Sequence, residues 1–159
     1  MNKNLTSKVD EDIIDLDLSV IRKKRFRINN DDSKILELNT SDMTVVTRLD
    51  EVYGKLEELV ENAKKVAEET GDTDSELTKM SNQLKAIDKD MRDLVDYIFN
   101  APVSKICADD GSMYDPFNGT YRFEHIIDTL TKLYEQNLNS EYKKMRARVT
   151  KHTAKYTKK

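Results

Sequence analysis

The stretch VAEETGDTDSEL, residues 66–77, decides how this chain folds. Thr70-Gly71-Asp72 is a helix stop, because glycine just beyond an apolar-periodic run adopts the backbone turn that ends a helix at little steric cost. Thr73 and Glu76 then have the spacing of a capping box, in which a hydroxyl accepts the N–H of the third helical residue and a carboxylate reaches back. One helix therefore ends and another begins within a few residues. Two helices joined so briefly lie side by side and antiparallel.

Working outward on the N-terminal side, Met43, Val46, Leu49, Val52, Leu56, Leu59, Val60, Ala63 and Val66 recur at steps of three and four, with Thr40-Ser41-Asp42 offering N-caps. On the C-terminal side Leu77, Met80, Leu84, Ile87, Met91, Leu94, Val95 and Ile98 repeat the stripe until Asn100-Ala101-Pro102 ends it. Each helix spans about 40 Å at 1.5 Å per residue. Charge covers the rest of both circumferences, so the stripes are as narrow as a two-helix seam requires. Most of these positions are expected in the core. Helix flanks left uncovered in so small a protein favour self-association or the docking of another helix.

Upstream, residues 1–12 are polar and acidic and are expected to be disordered. From Asp15 the pattern alternates, with Leu16, Leu18 and Val20 on one side and Asp15, Asp17 and Ser19 on the other, which predicts a half-buried strand. Phe26–Ile28 and Ile35–Leu38 read as a hairpin around a turn at Asn29–Ser33. The bases of RKKRFR, residues 22–27, then form a solvated strand face that discourages edge pairing.

Downstream, Val103–Cys107 is a short apolar piece leading into a turn at Ala108–Gly111. Next comes SMYDPFNGTYRFEHI, residues 112–126, which holds four aromatic rings together with Pro116 and Gly119. It predicts a shaped turn opening into a third helix near Tyr121, whose inner face is Phe123, Ile126, Ile127, Leu130, Leu133, Tyr134 and Leu138. Asn139-Ser140 weakens that helix, and the tail from Glu141 is expected to be frayed helix or disordered. Tyr114, Phe117, Tyr121 and Phe123 have two readings. They clamp the turn onto the helical hairpin, as large buried rings do, or they anchor a partner, as exposed aromatics do at interfaces.

Composition narrows the function. The chain has 159 residues, a charged fraction of 36%, four glycines and two prolines, which fits one helix-rich domain. No apolar run has membrane-spanning or signal-peptide length, so a cytoplasmic protein is expected. A lone Cys107 with His125 and His152 is too thin for a structural metal site, and Asp109-Asp110-Gly111 lacks the ligand spacing of a calcium loop. No phosphate loop, nucleophile motif or cofactor fingerprint occurs, so no catalytic, cofactor-binding or metal residues are assigned and a non-enzyme is expected.

Charge is distributed unevenly despite a net of −3: five acids lie within residues 9–17, five bases within 22–27, and eight bases follow Glu141. The basic clusters 22–27 and 143–159 support an alternative as a nucleic-acid-binding or regulatory protein. The acidic N-terminus, able to screen them, and the sequence pI near 5.5 weigh against it.

The phrase MRDLVDYIF (91–99), then VSKIC (103–107), a turn, and YRFEHII (121–127) resembles the C-terminal half of tail assembly chaperones of long-tailed bacteriophages. A hairpin followed by LELNTSDM (36–43) and long helices is similar to the subgroup from phages and prophages of low-GC Gram-positive bacteria. Asn100-Ala101-Pro102 departs from the glycines common in that family, and the resemblance does not extend to the basic tail. The resemblance implies a non-enzymatic protein of the host bacterial cytoplasm. Its partners would be the tape measure protein and the tail tube protein. The fold expected is mainly α (α+β): an N-terminal β-hairpin, a long antiparallel helical hairpin, an aromatic turn and a C-terminal helix. Its single domain covers 13–140, followed by a basic tail at 141–159.

Overall fold

The computed structural model describes residues 12–18, 23–69 and 71–157, with 148–157 in backbone only. Strands β1 (Lys24–Ile28) and β2 (Asp31–Leu38) pair antiparallel, Lys24 opposite Leu38 and Phe26 opposite Leu36. Their turn is tighter than the five residues expected. Asn29 and Asn30 both take positive φ, 55° and 58°, the left-handed pair that two-residue hairpins need and that asparagine tolerates. The remaining expected turn residues form an irregularity in β2. Pairing jumps from Arg27–Ile35 to Ile28–Asp31, and Asp31 Oδ1 gathers the loop by accepting from the Ser33 N–H at 2.9 Å and the Ser33 hydroxyl at 2.6 Å. Leu36 and Leu38 are buried while Glu37 between them is exposed.

The strand expected at 15–20 does not form over the part described. Residues 13–18 have no regular structure, with Leu16 74% and Leu18 78% exposed; Val20 lies outside the described residues, as do residues 1–11 of the expected disordered start. Alternation specifies which face a strand would bury once paired. It does not supply the neighbouring strand.

Helix α1 (Thr44–Glu68) is capped by Asp42, whose Oδ1 accepts the Thr44 N–H at 2.9 Å and also the Thr44 hydroxyl. Arg48 donates to Asp42 Oδ2 at 2.5 Å and to the Ile98 carbonyl at 2.8 Å, and Tyr97 donates to Glu51 at 2.7 Å. The start of α1 is thereby tied to the end of α2 (Asp74–Phe99), fixing the antiparallel hairpin. The seam of α1 runs through Val52, Leu56, Leu59, Val60 and Ala63 as expected, but its first turn is entered by Val45. Met43 and Val46 are 57% and 67% exposed. At about 100° per residue, position 45 lies within roughly 20° of Val52 whereas 46 is some 120° away.

The capping box forms with a small displacement. Glu76 donates its N–H to Thr73 Oγ1 at 3.1 Å, and its carboxylate accepts the Asp72 N–H at 2.8 Å instead of the Thr73 N–H. Thr73→Ala is expected to cost about 1 kcal/mol. That is a fall of about 3 °C in Tm by calorimetry.

Burial along α2 is uneven. Met91, Val95, Ile98 and Phe99 are buried, Met80, Leu84 and Ile87 are half-buried, and Leu77 is 52% exposed. The seam alone covers the first half, whereas the second half gains another layer. Asn100, at φ 49°, ends the helix, with the Ala101 N–H donating to the Asp96 carbonyl at 3.3 Å and the Asn100 N–H to that of Tyr97 at 3.3 Å. This is a Schellman stop with asparagine in the position glycine usually takes.

The short helix α3 (Val103–Cys107) is capped by Asp96, which accepts the Ser104 N–H at 2.7 Å and its hydroxyl at 3.0 Å. A second carboxylate, Asp88, accepts the Met113 N–H at 2.7 Å and Arg92 Nε at 2.7 Å; Arg92 also donates to the Ser104 carbonyl at 3.2 Å and to that of Gly111. These groups hold the 100–113 connection against α2.

Helix α4 (Arg122–Thr157) buries Phe123, Ile126, Ile127, Leu130 and Tyr134, with Leu133 and Leu138 half-buried, the face the periodicity predicts. It runs on through Asn139-Ser140 to a length of 36 residues, about 54 Å. Asparagine and serine cost only a few tenths of a kcal/mol each inside a helix, and no proline or glycine follows. Lys24 donates to Asn137 Oδ1 at 2.7 Å, Asn137 donates to the Thr40 carbonyl at 3.1 Å, and the Tyr142 hydroxyl meets Met43 Sδ at 3.5 Å. Residues 141–147 beyond are exposed. The fold is thus mainly helical, and one continuous core joins the β1–β2 hairpin, α1, the second half of α2, α3 and α4.

Candidate partner-binding surface

The aromatic segment is a miniature ribbon. Strands β3 (Pro116–Phe117) and β4 (Thr120–Tyr121) pair across Asn118 and Gly119, whose φ values of 51° and 85° again make a left-handed two-residue turn. The Asn-Gly pair is a hairpin signal in its own right, and the reading as a shaped turn passed over it. The Thr120 hydroxyl, donating to the Phe117 carbonyl at 2.9 Å, closes the tip.

This ribbon separates the four rings into different tasks. Phe123 is fully buried, its ring 6.1 Å from Tyr53 and 6.2 Å from Tyr121. It is a clamp, out of reach of a partner. Met113, also at 0% exposure, is a second plug that periodicity could not reveal because it sits in a loop. Tyr114 and Tyr121 are half-buried and packed against the core. Phe117 is 45% exposed, its ring tilted against that of His125 at 4.6 Å, and it lines a different hollow.

Tyr114 and Tyr121 form one wall of a groove of about 440 Å³, with Val60, Ala63 and Ala67 of α1 as its floor and Leu84 of α2 opposite. Lys64, Glu68 and Asp115 supply charge at its lip. Ala63 and Ala67, on successive turns of α1, contribute only short side chains to this lining. A groove with an apolar interior and a charged lip suits the apolar ridge of an amphipathic helix. Of the four aromatics that the sequence offers as partner anchors, Tyr114, Phe117, Tyr121 and Phe123, this groove holds Tyr114 and Tyr121, while Ala67 and the half-exposure of Leu84 emerge only when α1, α2 and the ribbon are brought together.

The hollow on the Phe117 side, about 320 Å³, lies between the tip of the β1–β2 hairpin, the end of α3 and α4; Cys107 and His125 line it. Burial, reinforced by the negative charge of Asp96, pushes the Cys107 thiol up to about 11. The reactive thiolate is therefore a minute fraction at neutral pH. We expect a thiol reagent at pH 8 to label Cys107 at least about tenfold more slowly than free cysteine, with labelling at the free rate excluding this environment.

Among the described residues no group of three or more His, Cys, Asp or Glu is placed to hold a metal ion, and no helix is long and apolar enough to cross a membrane. The basic cluster around β1 is largely engaged: Arg25 lies 3.6 Å from Glu37, Arg27 2.8 Å from Asp32, and Lys24 bonds Asn137; Arg22 falls outside the described residues. Lys143, Lys144 and Arg146 are exposed on α4. Comparisons with protein-family models, curated proteins and solved structures give no match.

Proposed function

We propose that this protein is a tail assembly chaperone of a long-tailed bacteriophage, acting in the host bacterial cytoplasm. It covers the apolar stripe of the tape measure protein until tail tube subunits displace it. The observation that supports this reading best is the groove walled by Tyr114 and Tyr121 and floored by small residues of α1. A tape measure chain exposes a long amphipathic stripe before the tube encloses it, and such surfaces aggregate unless another apolar surface covers them. Copies docked side by side along one long partner hold it by avidity, while each contact stays weak enough to be released.

Co-expression tests the proposal. A candidate tape measure protein should remain soluble and co-purify, and the complex should persist in about 0.5 M salt, where the Debye length is well below 10 Å and exposed ion pairs are screened. Binding led by the basic clusters would collapse under that salt. A complex stripped by salt, or a protein that carries DNA or RNA through purification, overturns the proposal in favour of nucleic-acid binding through 22–27 and 143–159.

A further inference from the structure

Charge of opposite sign gathers at the two ends of the molecule, and each charged end adjoins uncovered apolar side chains. At the turn between α1 and α2, Glu68, Glu69, Asp72, Asp74 and Glu76 are exposed, and the sequence has no base between Lys65 and Lys79. Among the described residues none of the five forms an ion pair. This turn borders the groove walled by Tyr114 and Tyr121, whose lining includes Ala67 and Glu68 in the last turn of α1. The apolar face of α2 runs on from Leu84 in that lining to half-buried Met80 and to Leu77, 52% exposed, so an apolar strip leads from the groove to the acidic turn.

The other end is where α4 leaves the core. Phe123 packs on Tyr53 and the Tyr142 hydroxyl meets Met43, so α4 runs toward the start of α1, away from the groove, and then continues to Thr157 for about another 22 Å. Tyr142 and Met145, three positions apart and so on one face, are 39% and 57% exposed there. Lys143 and Arg146 beside them are exposed and have no acid partner among the described residues, and eight bases in all follow Glu141 with no further acid. A helix end that stands free and carries one sign of charge is marginal in water. It gains from a surface that offers acids and apolar cover together. The groove of its own chain is out of reach, because Thr44 to Ala67 spans roughly 35 Å of α1 in the opposite direction.

We propose that the basic end of α4, around Tyr142 and Met145, packs into the groove of a second copy of this chain, with its bases against the acidic turn between α1 and α2. Tyr142 and Met145 then cover the strip from Leu84 to Leu77, while Lys143 and Arg146 meet Glu68 and Glu69. Two α4 ends are no substitute for this pairing, because their bases would face one another. The surfaces brought together are different ones, at opposite ends of the molecule. The inference rests on the reading of the groove as a site for an amphipathic helix and gives it an occupant for the time before the tape measure protein arrives. Copies associated in this way keep the groove covered, and the partner takes the place of the neighbouring α4.

Analytical ultracentrifugation of the nuclease-treated full chain at about 100 µM tests this. Wild type should self-associate in about 0.05 M salt and do so at least about tenfold more weakly in about 0.5 M, where the Debye length is well below 10 Å. Lys143→Glu/Arg146→Glu should weaken association by about tenfold or more, and so should Glu68→Lys/Glu69→Lys, because each places like charges in contact. The four substitutions in one chain should restore it to within about threefold of wild type, since the charges are exchanged and again complementary. All four side chains are exposed, so thermal melts of the dilute proteins should not change. Lys143→Glu/Arg146→Glu should still bind a tape measure peptide in about 0.5 M salt. Loss of that binding with self-association behaving as stated counts against the tape measure reading alone. A monomeric wild type overturns the inference, as does association indifferent to either pair of substitutions, a combination that fails to restore it, or association present only before nuclease treatment, which would mean that nucleic acid bridges the copies.

Discussion

Met91→Asp is expected to abolish cooperative folding. Met91 is at 0% exposure in the second half of α2, within the core that α1, α2, α3 and α4 share. No basic side chain belongs to that cluster, so the new carboxylate would be buried without a partner or would have to take up a proton. The expected cost exceeds about 4 kcal/mol, the range reserved for buried charges and large cavities. Domains of this size have only about 5–15 kcal/mol in total. Circular dichroism should show a broad, early melt or none, and a transition within a few degrees of wild type would contradict the core assignment. Leu84→Asp is the informative companion. The stripe predicts Leu84 as an inner position, yet it is half-buried and lines the groove. That variant should keep its fold while losing the helical partner.

The second large effect is expected at Asp88. Its side chain is 19% exposed and that of Arg92 23%, so the pair is only partly screened by water. Asp88→Ala removes the acceptor of the Met113 N–H and leaves the Arg92 guanidinium without its carboxylate. Truncating one partner of a largely buried, hydrogen-bonded charge costs more than the pair itself contributes. About 2–3 kcal/mol is expected in urea unfolding. Asp88→Asn should cost less, because an amide oxygen can still accept from Met113. Equal losses for the two variants, or a loss below about 0.5 kcal/mol for Asp88→Ala, would contradict the latch. Amide exchange at Met113 offers a local check, since its protection should fall in Asp88→Ala before global unfolding does.

The parts of the fold legible in the sequence are those set by short-range rules. Helix period, the Thr73–Glu76 box and the Asn100–Pro102 stop depend on residues within a turn or two of each other, and each appears where it was expected. The inner face of α4 was legible for the same reason. Failures fall where a distant partner decides. Leu16 and Leu18 alternate correctly for a strand but have none beside them within the described residues. Val45 in place of Met43 and Val46 is the exception, since helical phase alone puts 45 in line with Val52. Asp88, Arg92 and Asp96 look like solvated helix charges until the 100–113 connection folds back over them. The candidate surface was half legible. The aromatic segment drew attention to Tyr114 and Tyr121, but spacing could not separate them from the buried Phe123 or from Phe117 on the other side. Ala63 and Ala67 are the least conspicuous residues of the groove lining.

Residue-resolved NMR of the labelled protein, titrated with an amphipathic helical peptide from a candidate tape measure protein in about 0.5 M salt, locates the binding surface. The signals that move should belong to Val60, Ala63, Ala67, Leu84, Tyr114 and Tyr121, and Leu84→Asp should remove the response while leaving the rest of the spectrum in place. Changes confined to Lys23–Arg27 and Lys143–Arg146, or no change at all, would contradict it.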